Sequence, residues 1–413
     1  MNIVILAGGF GTRLQSVVRD VPKPMADIAG TPFLELLLRE LSFLDPERFV
    51  LCVSYKKDII KDYFKDSFLG IPVVYSEENE PLGTGGAIKQ AFDLFNLNDA
   101  LVLNGDSYIQ ANYARFLEQN KNEKLAVMLK RVDDANRYGR VEIENSRIVD
   151  FKEKNTTISQ PGLINAGIYK VTKDLFTRSL PNKFSFEQDI LEPMIPQLKP
   201  RFMLADDYFI DIGIPTSYAQ AQKELKSVIY GNATNRALFL DRDGVISEDI
   251  GYLHKIQDCQ FMPGIFDFCR QYKNNGYKLI IVTNQAGIAK GKFSEQDYKL
   301  LTDFIHSQFK KQYCEITAEY YCPYHIDGLP PYNRNSFYRK PNPGMILRAA
   351  KDYNINLPES ALIGDNETDI LAAKSAGVGN TIRIINEQNM RGTKTTVADN
   401  IIKIIQKQKI IHK

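Results

Sequence analysis

The residues LAGGFGTRL, 6–14, follow the first apolar run of the chain, and FLDRDGV, 239–245, ends another apolar run in its second half. The glycines of the first stretch let the backbone approach a polyphosphate and aim successive N–H groups at it. The two aspartates of the second stretch can both face one phosphate. Each stretch lies where a strand ends and the chain turns, which is where open α/β sheets hold their ligands. The sequence therefore predicts two phosphate-handling sites on one chain.

The composition is that of an ordinary globular protein. The 413 residues, 44% hydrophobic and 25% charged, suit two or three domains that each bury a core. With 52 basic and 50 acidic residues, a net charge of +2 does not indicate a nucleic-acid partner. An apolar run of roughly 18 residues, which a membrane span needs, is absent, and the N-terminus resembles a strand rather than a signal segment. Five scattered cysteines favour a reducing compartment, so we expect a cytoplasmic protein without a membrane partner.

Strand-like and helix-like stretches alternate along the chain, so the predicted fold class is α/β with two Rossmann-like domains. The polar break at Ser227–Arg236 separates two such alternations. We expect a first domain over residues 1–232 with a mixed, mostly parallel sheet, a second over residues 233–386, and a helical tail over residues 387–413. The end of the tail, Thr395–Lys413, is rich in Ile and Lys. It is compatible with a frayed tail, a docking helix or a homo-oligomer contact.

Hydrophobic periodicity locates the main elements of both domains. The predicted strands are residues 3–6, 49–53, 73–75, 100–103, 126–129, 237–240, 279–283 and 360–364. The predicted helices are residues 32–43, 86–94, 294–310 and 343–353.

Two cationic side chains follow the first glycine turn. Arg13 and Lys23 would neutralise the charge of a leaving pyrophosphate. The turn is not a Walker loop, because no Gly-Lys-Ser/Thr follows. It is not the dinucleotide fingerprint either, because Leu14 replaces the third glycine.

Further motifs follow in a fixed order: PKPM at 22–25, PLGTGG at 81–86, NGD at 104–106 and FIDIG at 209–213. With residues 6–14, this series resembles the sugar-1-phosphate nucleotidyltransferases, in which a sugar 1-phosphate oxygen attacks the α-phosphorus of a nucleoside triphosphate. Residues 16–34 and their neighbours look most like the D-glycero-D-manno-heptose 1-phosphate guanylyltransferases. The resemblance implies GTP and a heptose phosphate as substrates. Mannose or glucose 1-phosphate with another nucleotide is the alternative.

The resemblance also implies roles for single residues. Asp106 and Asp211 would hold Mg²⁺, a hard cation that prefers carboxylate oxygens. Lys154 would bind the sugar phosphate, although Asn155 stands where the family has proline. The other residues implied to contact nucleotide or sugar are Gly8, Gly9, Gly11, Thr12, Gly83, Gly85, Asn165, Gly167 and Glu187.

Asp241 and Asp243 suit covalent phosphoryl transfer. One carboxylate attacks phosphorus to give an acyl phosphate, and the other protonates the departing oxygen and later activates water. Because an anion attacks an anion, a metal and a lysine are needed to cancel charge. Candidates lie in VTNQ at 282–285, RKP at 339–341 and IGDNETD at 363–369.

These four pieces resemble the haloacid dehalogenase-like (HAD-like) phosphatases over residues 237–385, which implies a HAD-like fold with a minimal cap. By that resemblance Asp241 is the nucleophile and Asp243 the general acid and base. Asp369 would hold the loop rather than the metal. The implied Mg²⁺ ligands are Asp241, Asp243 and Asp365, and the implied substrate contacts are Thr283, Asn284, Arg339 and Lys340.

Longer matches resemble the heptose 1,7-bisphosphate 7-phosphatases and the related histidinol phosphatases, many of which carry a structural zinc ion. The four zinc-ligand positions read Cys322, Tyr324, Ser336 and Tyr338 here, with His325 one residue late. Because Ser and Tyr are poor zinc ligands, we expect no zinc and a loop held by aromatic and proline residues.

The two resemblances fit one reaction sequence. Removing the 7-phosphate of a heptose 1,7-bisphosphate leaves the heptose 1-phosphate that the N-terminal half would convert to GDP-D-glycero-α-D-manno-heptose. A histidinol phosphatase offers no such link. Two other hypotheses stay open: one half is a catalytically silent scaffold, or the chain binds nucleic acid or membrane through its Ile/Lys tail.

Overall fold

The computed structural model describes residues 1–135, 138–152, 160–176, 180–231 and 233–384. The chain forms two compact units, Met1–Ile229 and Tyr230–Lys413. Lys154 and the predicted tail, residues 387–413, lie outside the described residues. Within the described ranges, no helix combines the length and the apolar character needed to cross a bilayer.

The first unit is an α/β structure built on a ten-stranded mixed sheet. The strands of the whole unit, those of this sheet and of a separate two-stranded pair, are β1 (Asn2–Leu6), β2 (Arg48–Val53), β3 (Ser67–Phe68), β4 (Ile71–Glu77), β5 (Asp99–Asn104), β6 (Ser107–Ile109), β7 (Leu125–Val132), β8 (Arg140–Glu144), β9 (Arg147–Lys152), β10 (Gly162–Thr172), β11 (Arg201–Leu204) and β12 (Phe209–Asp211). Its helices are α1 (Phe33–Ser42), α2 (Lys57–Phe64), α3 (Gly83–Leu94), α4 (Tyr113–Gln119), α5 (Glu192–Leu198) and α6 (Pro215–Tyr230).

The strands of this sheet run in the order β3-β4-β2-β1-β5-β10-β7-β11-β9-β8. The neighbours β4, β2, β1 and β5 are parallel, whereas β10 is antiparallel to β5 and β7. Strands β6 and β12 form a separate antiparallel pair. Ile3, Val4 and Ile5 are fully buried, as expected for a parallel strand with both faces covered.

The strand register explains how distant motifs come together. Leu6 at the end of β1 pairs with Asn104 at the end of β5, so the glycine turn lies beside the segment that carries Asp106. Asp211 on β12 pairs with Ser107 on β6, which brings the second aspartate to the same place. The site is therefore assembled at the carboxyl ends of parallel strands, as the sequence predicted.

The second unit has a parallel five-stranded sheet in the order β15-β14-β13-β16-β17. Its strands are β13 (Arg236–Leu240), β14 (Tyr277–Asn284), β15 (Ala318–Cys322), β16 (Ala361–Gly364) and β17 (Asn380–Arg383). Its helices are α7 (Ile265–Asn274), α8 (Ala286–Ala289), α9 (Glu295–Lys311), α10 (Gly344–Tyr353) and α11 (Glu367–Ala376).

Helices cover both faces of the second sheet. Leu238 and Leu240 of β13 pack into one hydrophobic cluster, and the alternate residues Ala237 and Phe239 pack into another. Between β13 and α7 the chain forms a short 3₁₀ helix, Ile256–Asp258, in keeping with the minimal cap. Each strand and helix predicted from periodicity overlaps an observed element of the same type.

Candidate active sites

An open cavity of about 410 Å³ lies at the carboxyl end of β1, a size that suits a small-molecule ligand. Gly11 has φ +60°, and a Cβ there would lie 3.0 Å from Cβ of Lys23, so the turn requires glycine. Arg13 is exposed and forms no ion pair with any residue that the structure describes. Predicted residues that line the cavity are Gly8, Gly9, Gly11, Thr12, Arg13, Lys23, Gly83 and Asp106.

Lys23 joins the two aspartates predicted to hold the metal. Its Nζ lies 2.5 Å from Oδ2 of Asp106 and 3.4 Å from Oδ1 of Asp211. The backbone N–H of Gly213 donates to the same oxygen of Asp211 over 2.6 Å. An ammonium group between two carboxylates marks a position where positive charge is stabilised. The oxygen donors around it also fit Mg²⁺.

A hydrogen-bonded chain unites the residues predicted to contact the sugar. Nδ2 of Asn165 donates to the hydroxyl of Tyr169 over 2.6 Å, and that hydroxyl donates to Oε1 of Glu187 over 3.1 Å. Oγ1 of Thr84 donates to Oε2 of Glu187 over 2.6 Å. The N–H of Gly167 donates to Oδ1 of Asn165 over 3.0 Å. Sequence reasoning missed Tyr169, which reads as an apolar strand residue, and Thr84, although Thr84 lies within the PLGTGG motif.

Gly85 was predicted to contact the nucleotide, and in the structure it packs against Phe184. A Cβ at this position would lie 2.2 Å from Cε2 of Phe184, and the N–H of Gly85 donates to the carbonyl of Phe184 over 3.0 Å. The missing side chain makes room for an aromatic ring under α3. The structure thus places Gly85 in the packing of α3, whereas its neighbour Gly83, with φ +73°, lines the cavity.

Glu78 is a buried carboxyl group in the cavity wall that the sequence analysis overlooked. Its residue is 9% exposed, and Oε2 accepts a hydrogen bond from the N–H of Leu82 over 2.9 Å. Burial raises the pKa of the Glu78 carboxyl group. Because Glu78 follows another glutamate at the end of β4, the sequence alone does not distinguish it from an ordinary polar residue at the end of a strand.

In the second unit, Lys340 lies at the centre of the predicted phosphatase site. Its side chain is 2% exposed, and Nζ lies 2.9 Å from Oδ1 of Asp241 and 2.5 Å from Oδ1 of Asp369. Nζ also donates to the carbonyl of Val282 over 2.8 Å. Burial alone would lower the pKa of Lys340, but the carboxylates of Asp241 and Asp369 outweigh it and raise the pKa. Lys340 is therefore held as a cation.

Three carboxylates form what we call the acidic cluster: Asp241, Asp365 and Asp369, with ligand atoms all within 4.8 Å of one another. Burial and the charges of Asp241 and Asp369 raise the pKa of Asp365 to about 7. Such crowding favours a bound cation, and the oxygen donors fit Mg²⁺. Asp369 also accepts from the N–H of Asn366 over 3.0 Å, so it holds the loop as well.

The carboxylate of Asp243 has other partners. Nε of Arg242 donates to Oδ1 and Nη2 donates to Oδ2, both over 3.0 Å, and Nε2 of Gln285 donates to Oδ2 over 3.1 Å. Among the described residues, the acidic cluster is the group of three or more ligands close enough to share an ion, and it does not include Asp243. Asp243 was predicted as a metal ligand, but the structure instead directs its side chain to Arg242 and Gln285. Sequence reasoning also missed these two partners.

The predicted substrate contacts lie around Lys340. Oδ1 and Nδ2 of Asn284 pair with the backbone N–H and carbonyl of Lys340, each over 3.0 Å, which fixes this loop to β14. Oγ1 of Thr283 accepts from Nε2 of Gln285 over 2.9 Å. Nη1 of Arg339 donates to the carbonyl of Tyr324 over 3.2 Å.

The positions that carry zinc ligands in related phosphatases make other contacts here. Sγ of Cys322 lies 4.0 Å from the carbonyl of Tyr324, and Oγ of Ser336 accepts from the N–H of Tyr338 over 3.1 Å. The guanidinium of Arg334 lies 3.9 Å from the centre of the Tyr324 ring. These contacts hold the loop through aromatic and polar side chains, and the absence of zinc stays a prediction.

Mg²⁺ affinity at the acidic cluster is expected to fall as the pH falls. In the folded protein without metal the pKa of Asp365 is about 7, whereas in the unfolded chain it is about 4. The protonated carboxyl group therefore stabilises the metal-free fold fully below about pH 4, and this stabilisation is lost as the pH rises through about 7. Mg²⁺ must therefore displace protons at low pH but not at high pH. Calorimetric titration of an Asp106→Asn variant, which weakens the first-unit site, should show tighter binding at about pH 8 than at about pH 5. Equal affinities, or binding that survives Asp365→Asn, would contradict the assignment.

Comparison with known proteins follows the two units. The profile of the Nucleotidyl transferase family matches residues 2–228, and the profile of a HAD-hydrolase-like family matches residues 337–382. A D-glycero-α-D-manno-heptose 1-phosphate guanylyltransferase of Campylobacter jejuni is 47% identical over 220 residues, which cover 53% of this chain and 97% of that relative.

Two relatives match the second half. A D-glycero-α-D-manno-heptose-1,7-bisphosphate 7-phosphatase of Burkholderia mallei is 46% identical, covering 38% of this chain and 84% of the relative. A D-glycero-β-D-manno-heptose-1,7-bisphosphate 7-phosphatase of Vibrio cholerae is 42% identical, covering 40% of this chain and 91% of the relative.

Proposed function

The chain belongs to the nucleotidyl transferase family in its first half and to the heptose-1,7-bisphosphate 7-phosphatases in its second, and on that premise we propose a bifunctional enzyme that makes GDP-D-glycero-α-D-manno-heptose. One observation carries the proposal: each half matches most of the length of a separate relative, and removal of the 7-phosphate from the substrate named for the phosphatase leaves the substrate named for the guanylyltransferase. Its substrates, GTP and heptose phosphates, would place the enzyme in the cytoplasm.

In the second unit, the phosphatase reaction would proceed through Asp241. An oxygen of Asp241 forms a bond to the phosphorus of the 7-phosphate while the bond to the sugar oxygen breaks, and Asp243 gives that oxygen a proton. Water then attacks the phosphorus and loses its proton to Asp243, while the bond from phosphorus to Asp241 breaks and releases inorganic phosphate and the free carboxylate. Lys340 neutralises phosphate charge throughout. Mg²⁺ held by Asp241 and Asp365 would supply further neutralisation when bound.

In the first unit, an oxygen of the sugar 1-phosphate forms a bond to the α-phosphorus of GTP, and the bond to the leaving pyrophosphate breaks. The N–H groups of the glycine turn bind phosphate oxygens, and Arg13 and Lys23 neutralise pyrophosphate. Asn165 and Glu187, held through Tyr169, would orient sugar hydroxyls. Mg²⁺ held by Asp106 and Asp211 would neutralise phosphate oxygens when bound.

Glu78 supports guanine as the base. Oε1 of Glu78 lies beside Gly8, 2.8 Å from where a Cβ of that residue would stand. Because a carboxylate repels a triphosphate, we assign the base to this start of the glycine turn and the phosphates to its end, at Gly11 and Arg13. Guanine has two neighbouring N–H donors on one edge, and a carboxylate accepts both, whereas uracil and thymine have one such donor.

Glu78→Gln is therefore expected to reduce kcat/KM for GTP by about 10- to 100-fold, because a paired contact of this kind contributes roughly 1–3 kcal/mol. The ratio of kcat/KM for GTP to kcat/KM for UTP or dTTP should also fall, as measured by pyrophosphate release. Glu77→Gln is the matched control, since that neighbour pairs with Lys57 and Lys61. An unchanged preference for GTP in Glu78→Gln would exclude this role.

Incubation of the purified chain with heptose 1,7-bisphosphate, GTP and Mg²⁺ tests the whole proposal. The expected products are phosphate, pyrophosphate and GDP-heptose, identified by mass. Both anomers of the bisphosphate should be supplied, because relatives named for each anomer match the second half. If mannose or glucose 1-phosphate with another triphosphate were the better substrate pair, the alternative assignment would stand.

A further inference from the structure

Arg242, which lies between the two aspartates of the phosphatase motif, is the largest fully buried side chain of the described residues, with 0% exposure. Burying a guanidinium costs free energy unless charged and polar partners satisfy it. Two of its nitrogens pair with both oxygens of Asp243, as described above. Nη2 also donates to the carbonyl of Leu253 over 2.9 Å and to Oε1 of Gln285 over 3.0 Å.

The opposite side of the guanidinium is fixed by an aromatic ring. Nη1 of Arg242 has no hydrogen-bond acceptor among the described residues, and its guanidinium carbon lies 5.5 Å from the centre of the Tyr298 ring. The hydroxyl of Tyr298 donates to Glu319, whose side chain is 7% exposed and which also accepts from Thr302 over 3.1 Å. Glu319 pairs with His306 over 3.0 Å as well. Arg242 is thus anchored from behind by α9 and β15.

Gln285 completes the support for Asp243. Its Nε2 donates both to Oδ2 of Asp243 and to Oγ1 of Thr283, while its Oε1 accepts from Arg242. Both oxygens of Asp243 are therefore held in a plane by fixed donors. Oδ2 accepts from both Arg242 and Gln285, whereas Oδ1 accepts from Arg242 alone and keeps a lone pair for the transferred proton. Without these donors, the side chain of Asp243 would be free to rotate.

We propose that Arg242, assisted by Gln285, is a positioning residue that orients the carboxyl group of Asp243 for proton transfer to and from the sugar oxygen and water. The proposal rests on the phosphatase function of the second unit. A general acid contributes to rate only when it lies within hydrogen-bond reach of the departing oxygen. Nothing in this role requires Arg242 to touch the substrate.

The test compares two substrates. The sugar oxygen of heptose 1,7-bisphosphate must be protonated as it leaves, whereas the nitrophenolate of p-nitrophenyl phosphate leaves without a proton. In Arg242→Met, hydrolysis of heptose 1,7-bisphosphate is expected to fall about 100- to 1,000-fold, within the range that general acid–base catalysis contributes. With p-nitrophenyl phosphate, formation of the aspartyl phosphate needs no acid, whereas its hydrolysis still needs the base. We therefore expect a rapid burst of one nitrophenolate per site at near wild-type rate, followed by slow turnover.

Conservative variants separate positioning from folding. Arg242→Lys should restore part of the lost activity, and Gln285→Met should show the same burst with a smaller loss. Arg348→Met, which removes an exposed guanidinium paired with Asp352 on α10, is the matched control and should leave both substrates unaffected. If Arg242→Met and Gln285→Met reduced the burst rate and the sugar-phosphate rate equally, Arg242 would be structural only.

These experiments distinguish an error in the proposed substrate from an error in the role proposed for Arg242. If the wild-type chain hydrolysed p-nitrophenyl phosphate but not the heptose bisphosphate, the proposed substrate would be wrong. The burst experiment would still report whether Arg242 positions Asp243. An Arg242→Met variant with wild-type rates on alkyl phosphates of any kind would overturn the positioning role.

Discussion

Asp241→Asn is expected to stop phosphate release from heptose 1,7-bisphosphate, with a loss of about 10⁴-fold or more, as is typical when a nucleophile is removed. The amide cannot attack phosphorus, and the acidic cluster loses one of its carboxylates. GMP transfer to supplied heptose 1-phosphate should continue at the wild-type rate, because every residue assigned to that reaction lies in the first unit. Released phosphate and pyrophosphate, measured on the same sample, report the two activities separately.

Asp267→Asn is a suitable control for this substitution. Asp267 lies on α7 of the same unit, its side chain is 71% exposed, and its ion-pair partner among the described residues is Arg270, one helical turn away. A surface pair of this kind contributes little to stability, so both activities should persist. If Asp241→Asn abolished nucleotidyl transfer as well, the two reactions would not be independent.

Much of the two sites could be predicted because strand ends are readable in a sequence. Apolar runs mark β1, β5, β13 and β16, and parallel strands place their carboxyl ends at one edge. The glycine turn, Asp106 and Asp241 follow such runs directly. Their proximity to later motifs was therefore inferred without knowing any side-chain contact.

The contacts that could not be predicted link residues far apart in the chain. Tyr169 is 18 residues from Glu187, and their hydrogen bond depends on how β10 faces the π-helical turn Glu187–Leu191. The packing of Gly85 depends on where Phe184 lies, and no local pattern specifies this. Glu78 and Arg242 are charged residues beside other charged residues. Only their burial in the fold separates them from solvated surface groups.

Both units use one electrostatic arrangement despite different chemistry. In each, a nearly buried lysine bridges two aspartates at the carboxyl edge of the sheet: Lys23 between Asp106 and Asp211, and Lys340 between Asp241 and Asp369. Carboxylates that lie this close together repel one another, and the ammonium group reduces that repulsion. The lysine also remains within reach of the phosphate that each site is proposed to bind.

Lys23→Met should consequently reduce nucleotidyl transfer by about 100- to 1,000-fold, the loss expected when one group that stabilises a developing anion is removed. Methionine is unbranched and retains most of the length and volume of the lysine side chain, so the loss reports charge rather than packing. Phosphatase activity should be unchanged, and heptose 1-phosphate should accumulate when the bisphosphate and GTP are supplied together. Mass spectrometry of the products measures this accumulation.

The accumulation distinguishes loss of one reaction from loss of the whole enzyme. Lys89→Met is the matched control, because Lys89 pairs with Asp93 on the surface of α3 in the same unit. That variant should make GDP-heptose at the wild-type rate. If Lys23→Met did so too, the ammonium group between Asp106 and Asp211 would serve only to hold the metal-free site together. Arg13 would then be the remaining candidate among the two predicted cations for neutralising pyrophosphate.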